Sequence, residues 1–195
     1  LMILLNEADK IVADSIINSL LPIFEVVHDS WTNLLQIITT LLTATDNSHI
    51  SIGLNLISDF LPYSSEKFIS ESLQAISGFL QSALSSTDPN ILIDGMKLFS
   101  ALLYTGIPVE AFSEQFSAIL QRILEIFHQF LIQPDDYNNK SAQASNHLSV
   151  ILKHEPLFVP PTEIYSALLQ ISSDGSIDKE LHHYPLYPIK VLIKR

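Results

Sequence analysis

The chain of 195 residues contains no cysteine and only five glycines. The lack of cysteine excludes a disulfide framework, thiolate zinc sites and a cysteine nucleophile. The glycines are scattered, so the chain has no glycine-rich phosphate loop and no Gly-x-Ser-x-Gly nucleophile turn. No apolar run approaches the roughly 18 residues needed to span a membrane.

Basic residues are also scarce, since 10 lysines and arginines face 21 acids and give a net charge of −11. Three of the 10 lie in the last six residues, which hold no acid, so residues 1–189 carry 7 basic and 21 acidic groups, a difference of −14. Such a surface repels nucleic acid and attracts basic protein partners. Solubility of an apolar chain is the alternative explanation of this charge.

Two stretches of the chain, 46–61 and 88–103, superimpose at a spacing of 42 residues. Asp opens both stretches, Gly53 matches Gly95, and the large apolar positions recur in step. Repeats of about 40 to 47 residues that contain only helices are typical of HEAT-type α-solenoids. Such solenoids bind partners along an extended surface.

A small residue opens the apolar face of the second helix in each repeat. These residues are Ala13, Gly53, Gly95 and Ala144. Because a glycine within a helix costs about 1 kcal/mol relative to alanine, we expect a packing reason for it. The expected reason is a close approach of two helix backbones.

The apolar periodicity predicts nine helices joined by short turns. Their approximate ranges are 8–24, 31–44, 49–62, 66–86, 91–105, 110–132, 139–154, 161–172 and 178–183. The expected fold class is all-α, an α-solenoid of about four to five HEAT-type helical hairpins in a right-handed superhelix. We expect a single array over 1–195, a fragment of a longer solenoid, with approximate repeats 1–24, 31–62, 66–105, 110–154 and 161–195. A non-repetitive helical bundle is the alternative.

The residues that could carry chemistry form no recognisable site in the sequence. Among seven histidines, His147 and His154 share a predicted helix face but lie about 10 Å apart along its axis, too far for one metal ion. Asp135 and Asp136 follow Pro134 and are interpreted as part of a solvated loop. We therefore expect no enzymatic activity, no metal and no cofactor.

One tryptophan is a candidate interface residue. Trp31 follows Asp29-Ser30, a helix-start signal. Tryptophan is favoured at interface hot spots, so Trp31 is an aromatic side chain that a partner could contact. The alternative is that Trp31 packs against the preceding repeat.

The region 8–61 resembles the importin-β superfamily, the karyopherins. Its elements are a helix ending in Ile-Ile-Asn-Ser-Leu-Leu (16–21), the segment Trp-Thr-Asn-Leu-Leu (31–35) and the leucine-rich helix at 47–60. Many of these receptors have a Trp-Pro-Glu-Leu-Leu segment at the place that Trp-Thr-Asn-Leu-Leu takes in this chain. The turn aspartates Asp46 and Asp88 match HEAT repeats, but the arginine that often follows in the second helix is absent, and Thr32 replaces the usual proline.

This resemblance implies a nuclear transport receptor that moves between cytoplasm and nucleus through the nuclear pore. Its implied partners are protein cargo with basic segments, the GTPase Ran and Phe-Gly nucleoporins, with no direct binding of nucleic acid and no membrane insertion. Asp14, Asp59 and Asp94 fall on the second helices, which in this family line an acidic concave face, and are the candidate cargo-binding residues. The alternatives are a HEAT scaffold subunit of a phosphatase, coat or other complex, and an enzyme-associated regulatory helical domain.

Overall fold

The computed structural model describes residues 2–7, 9–27, 33–105, 113–154 and 158–194. Over these ranges the chain forms α-helices and two short 3-10 helices, Met2–Asn6 and Leu61–Tyr63, and no strand. The α-helices are α1 Lys10–Val27, α2 Leu34–Leu42, α3 Asn47–Phe60, α4 Glu66–Leu84, α5 Pro89–Tyr104, α6 Ser113–Ile132, α7 Pro134–Ile151, α8 Pro161–Ser172 and α9 Leu186–Ile193. The predicted all-α repeat architecture is confirmed.

Two predicted boundaries are wrong. Helix α7 begins at Pro134, five residues before the predicted start, because the first helical position needs no N–H and accepts proline. The helix predicted at 178–183 is a series of turns, in which the Asp178 carboxylate accepts from the backbone N–H of Glu180. The last helix follows Pro185 instead, at Leu186–Ile193.

The chain divides into two compact units, residues 1–107 and 108–195. In the first unit, α3 packs against both α1 and α5, α2 packs on α3, and α4 packs on α5. The second helices α1, α3 and α5 of successive repeats therefore lie side by side, and α3 and α5 each pack against the first helix of their own repeat, α2 and α4. In the second unit, α6 and α7 pack as a hairpin, α9 contacts α7 and α8, and α6 contacts α8.

The aspartates of the two turns cap the second helices, as their position in the repeat predicts. Asp46 accepts from the backbone N–H of His49 at the start of α3, and Asp88 accepts from those of Asn90 and Ile91 at the start of α5. Asn47 also donates to Asp88 over 2.8 Å. This bond joins one inter-helix turn to the next, 41 residues along the chain.

Both repeat glycines lie where two helices meet closely. A Cβ on Gly53 would lie 2.9 Å from Leu41 Cβ of α2, and one on Gly95 would lie 3.0 Å from Ala83 Cβ of α4. Leu41 and Ala83 are themselves 42 residues apart, so the same contact occurs twice. The predicted close approach is confirmed for both glycines, and Ala13 and Ala144 are fully buried.

The core of each unit is rich in phenylalanine. Phe24 of α1 stacks on Phe60 of α3 with ring centroids 4.3 Å apart. The other fully buried phenylalanines are Phe99, Phe116, Phe127 and Phe130. The predicted interface residue Trp31 lies outside the residues that the structure describes.

Candidate functional site

Polar side chains from three successive second helices meet along one line of the first unit. Helix α3 contributes a column at four-residue spacing, which places its members on one helix face. Helices α1 and α5 contribute two side chains each. We call the group the polar stripe; its members are Lys10, Asp14, Ser51, Asn55, Asp59, Asp94 and Lys97.

One end of the polar stripe is centred on Asp94, which is 4% exposed. Lys10 Nζ lies 3.1 Å from each carboxylate oxygen of Asp94 and 2.8 Å from Ser51 Oγ. The Ser51 hydroxyl in turn donates to Asp94. A carboxylate buried to this degree needs such compensation, since an unpaired buried charge costs several kcal/mol (about 3–5).

The other end of the stripe is centred on Lys97. Its ammonium lies 2.7 Å from the Asp59 carboxylate and donates to Asn55 Oδ1 over 3.0 Å. Asn55 is 4% exposed, and its Nδ2 has no hydrogen-bond acceptor among the described residues. Since both Lys10 and Lys97 donate to oxygens on a neighbouring helix, the polar stripe is a connection between repeats as well as a surface feature.

Asp14 is the carboxylate of the stripe that no lysine neutralises directly. Burial raises the pKa of Asp14, the charges of Lys10 and Lys97 lower it, and the charges of Asp59 and Asp94 raise it. The net effect is a raised pKa, because burial together with the two aspartates outweighs the lysines. With three carboxylates and two ammonium groups, the stripe carries one excess negative charge when all five groups are ionised.

The structure therefore brings the three predicted aspartates into one group on second helices, but with different surroundings. Asp94 is covered and paired, Asp59 is paired, and Asp14 is half-buried. Sequence reasoning missed Lys10, Ser51, Asn55 and Lys97. The spacing of 42 residues between Asn55 and Lys97 was an available signal, because it places them at equivalent positions of adjacent repeats. A role of the aspartates in cargo binding stays a prediction.

The second unit contains a cleft of about 560 Å³ between α6 and α8. Its lining combines apolar surface from Leu124, Ala167 and Ile171 with the polar side chains of His128 and Asp174. His128 Nε2 lies 2.7 Å from Asp174 Oδ2 and joins α6 to the turn after α8. Hydrogen bonds from the Ser176 hydroxyl and backbone N–H, followed by the one to His128, lower the pKa of Asp174 to about 2.

The described residues contain no group of three or more His, Asp or Glu side chains that could hold a metal ion. None of the described helices has the length and apolar content to cross a membrane.

Residues 22–161 match the protein family described as IPO5-like, TPR repeats. The chain belongs to this family. The predicted relationship to importin-β-type repeats is confirmed by the match, which covers most of the chain. The description names TPR repeats, yet the 42-residue spacing observed here lies in the HEAT range and not at the 34 residues of a TPR. No curated protein and no solved structure matches the chain significantly.

Proposed function

We propose that this chain is part of a nuclear import receptor of the importin-β type, active in the cytoplasm, the nucleus and the nuclear pore. The observation that carries the proposal is the IPO5-like family match over residues 22–161. Helical repeats of this kind bind other proteins, and their function follows from which surfaces they present. The proposed partners are basic protein cargo, Ran in its GTP state and Phe-Gly nucleoporins.

Cargo binding is assigned to the polar stripe. Its single excess negative charge, with Asp14 as the carboxylate that lacks a direct lysine partner, favours a basic side chain. Desolvation at a half-buried carboxylate strengthens an ion pair relative to one in water. Asp14 is therefore the residue at which we expect a cargo lysine or arginine to bind.

Phe-Gly binding is assigned to the α6–α8 cleft. These two helices are the first helices of successive hairpins, and Leu124, Ala167 and Ile171 supply apolar surface. A phenylalanine ring inserted into such a cleft buries apolar area, which stabilises it by roughly 25 cal/mol per Å². The cleft is large enough for one such ring, since its volume is about 560 Å³.

The first test is a pull-down of the full-length protein from cell extract with and without Ran fixed in its GTP state. If the proposal is right, Ran-GTP binds the protein and releases part of the bound proteins. A bound protein population that is unchanged by Ran-GTP, with no Ran retained, would instead indicate a HEAT scaffold subunit.

The site assignments are tested with matched variants in the same assay. Asp14→Asn should weaken capture of basic proteins, whereas Glu71→Gln, which removes an exposed carboxylate from α4, should not. Ala167→Trp should fill the α6–α8 cleft and reduce binding of a Phe-Gly peptide while leaving basic cargo unaffected. Equal losses for Asp14→Asn and Glu71→Gln would show that only overall charge matters.

A further inference from the structure

Lys10 joins two helices that are not nearest neighbours in the array. It lies in α1, passes Ser51 of α3 and binds Asp94 of α5, 84 residues away and twice the repeat spacing. In helical-repeat proteins each repeat generally contacts only its neighbours, so bending between adjacent repeats costs little. A bond between α1 and α5 opposes such bending, because it links the outer two of three helices.

The connection is required by the chemistry of Asp94. Among the described residues Asp94 is the charged side chain that the fold buries, and both of its oxygens bind Lys10. Lys97 lies on the same helix but pairs with Asp59 and Asn55 of α3. Lys10 is thus the cation that compensates Asp94, and separating α1 from α5 would leave a buried carboxylate without it.

We propose that Lys10, Ser51 and Asp94 form an ionic latch that makes α1, α3 and α5 bend as one body. The latch can open, because the Lys10 side chain is 39% exposed while that of Asp94 is 5% exposed. Chloride or a competing acidic side chain can bind Lys10 from solvent, and opening the latch restores bending between the repeats. This device is independent of whether the protein acts in nuclear transport.

The absence of cysteine allows a direct test. Spin labels are placed on cysteines introduced at two exposed positions, Ser19 of α1 and Tyr104 of α5, in the complete chain. Their distance distribution is measured by pulsed electron paramagnetic resonance. We expect a narrow distribution with the native latch and a broad one with Lys10→Met. NaCl at about 1 M, where the Debye length is about 3 Å, should broaden the native distribution less than Lys10→Met does, because a partly buried pair is screened less than an exposed one, and should leave that of Lys10→Met unchanged.

A double variant distinguishes the effect of losing the latch from the effect of losing stability. Lys10→Met leaves Asp94 uncompensated, whereas Lys10→Met with Asp94→Asn removes both charges and regains much of the stability. The double variant should still give the broad distance distribution. Its α1 backbone amides should also exchange with solvent about tenfold faster than in the native chain, as expected for loss of a hydrogen bond to a charged group. Lys67→Met, at an exposed position of α4, is the control. A distribution as narrow in the double variant as in the control would overturn the proposal.

Discussion

Replacing Gly53 by alanine tests the close packing that defines the repeat. Alanine is favoured over glycine within a helix by about 1 kcal/mol, so helix propensity alone predicts stabilisation. The new Cβ, however, would lie 2.9 Å from Leu41 Cβ and 3.0 Å from Leu42 Cγ. The Cβ of Leu41 is fixed to its backbone, so relief requires α2 and α3 to move apart.

The magnitude follows from the two opposing effects. Overpacking a filled core by one methyl group costs about 1–3 kcal/mol. Subtracting the propensity gain of about 1 kcal/mol leaves a net destabilisation of about 1 kcal/mol for Gly53→Ala. Gly95→Ala should behave in the same way but with a smaller loss, since its nearest neighbour, Ala83 Cβ, is at 3.0 Å and the next atom is at 3.3 Å.

Gly78 supplies the matched control, because it lies within α4 and a Cβ there would meet nothing within 4 Å. Gly78→Ala should therefore stabilise the protein by about 0.5–1 kcal/mol. Urea unfolding followed by circular dichroism at 222 nm gives the free energy of unfolding of each variant. If Gly53→Ala were as stabilising as Gly78→Ala, the packing explanation of the repeat glycines would be refuted.

Two further predictions concern the turns that follow or precede the helices. Asp88→Ala removes the cap of α5 together with the hydrogen bond from Asn47, and should lower the free energy of unfolding by about 1–2 kcal/mol in a urea titration. Asn47→Ala removes only the hydrogen bond between the two turns, so it should lower the free energy of unfolding by less. The pKa of Asp174 falls from its ordinary 3.8 to about 2 on folding, so its contribution to stability is complete above about pH 4 and is lost as the pH falls from about 4 to about 2. Asp174→Asn should reduce the change in thermal midpoint between pH 5 and pH 2.5, with Glu163→Gln as the control, and an unchanged pH dependence would contradict the assignment.

Much of the helical architecture could be predicted because it depends on local periodicity. The contact of Gly53 with Leu41 and that of Gly95 with Ala83 involve residues that are 42 apart in the sequence. The repeat in the sequence therefore appears again as a repeated packing contact between helices. The last helix was missed because Pro185 and Pro188 lie on either side of its first residues, which argued against a helix there. The segment 178–183, where a helix was predicted, has one apolar residue, Leu181, and forms the side-chain turn at Asp178 instead.

The polar stripe could be predicted only in part, because its partners are set by which helices lie side by side. The three aspartates were found from their positions on second helices, whereas Lys10 and Asp94 are 84 residues apart and nothing local relates them. The positions of the three aspartates on second helices therefore predicted where they lie but not which cations pair with them. The fold pairs two of them with lysines of the same unit.

This pairing changes what the stripe can recognise. A surface with three free carboxylates would attract a run of basic residues over a distance, but one excess charge acts mainly at contact. At physiological ionic strength the Debye length is about 8 Å, and two unit charges 4 Å apart interact by about 1 kcal/mol in water and about 4 kcal/mol near a protein surface. Under the proposed role in cargo binding, the stripe would therefore bind one basic side chain against Asp14, and specificity would come from the shape of the partner around it. The larger charge imbalance of the chain, −14 over residues 1–189 from 7 basic and 21 acidic groups, lies outside this stripe, where such charge raises the association rate of oppositely charged partners or keeps an apolar chain soluble.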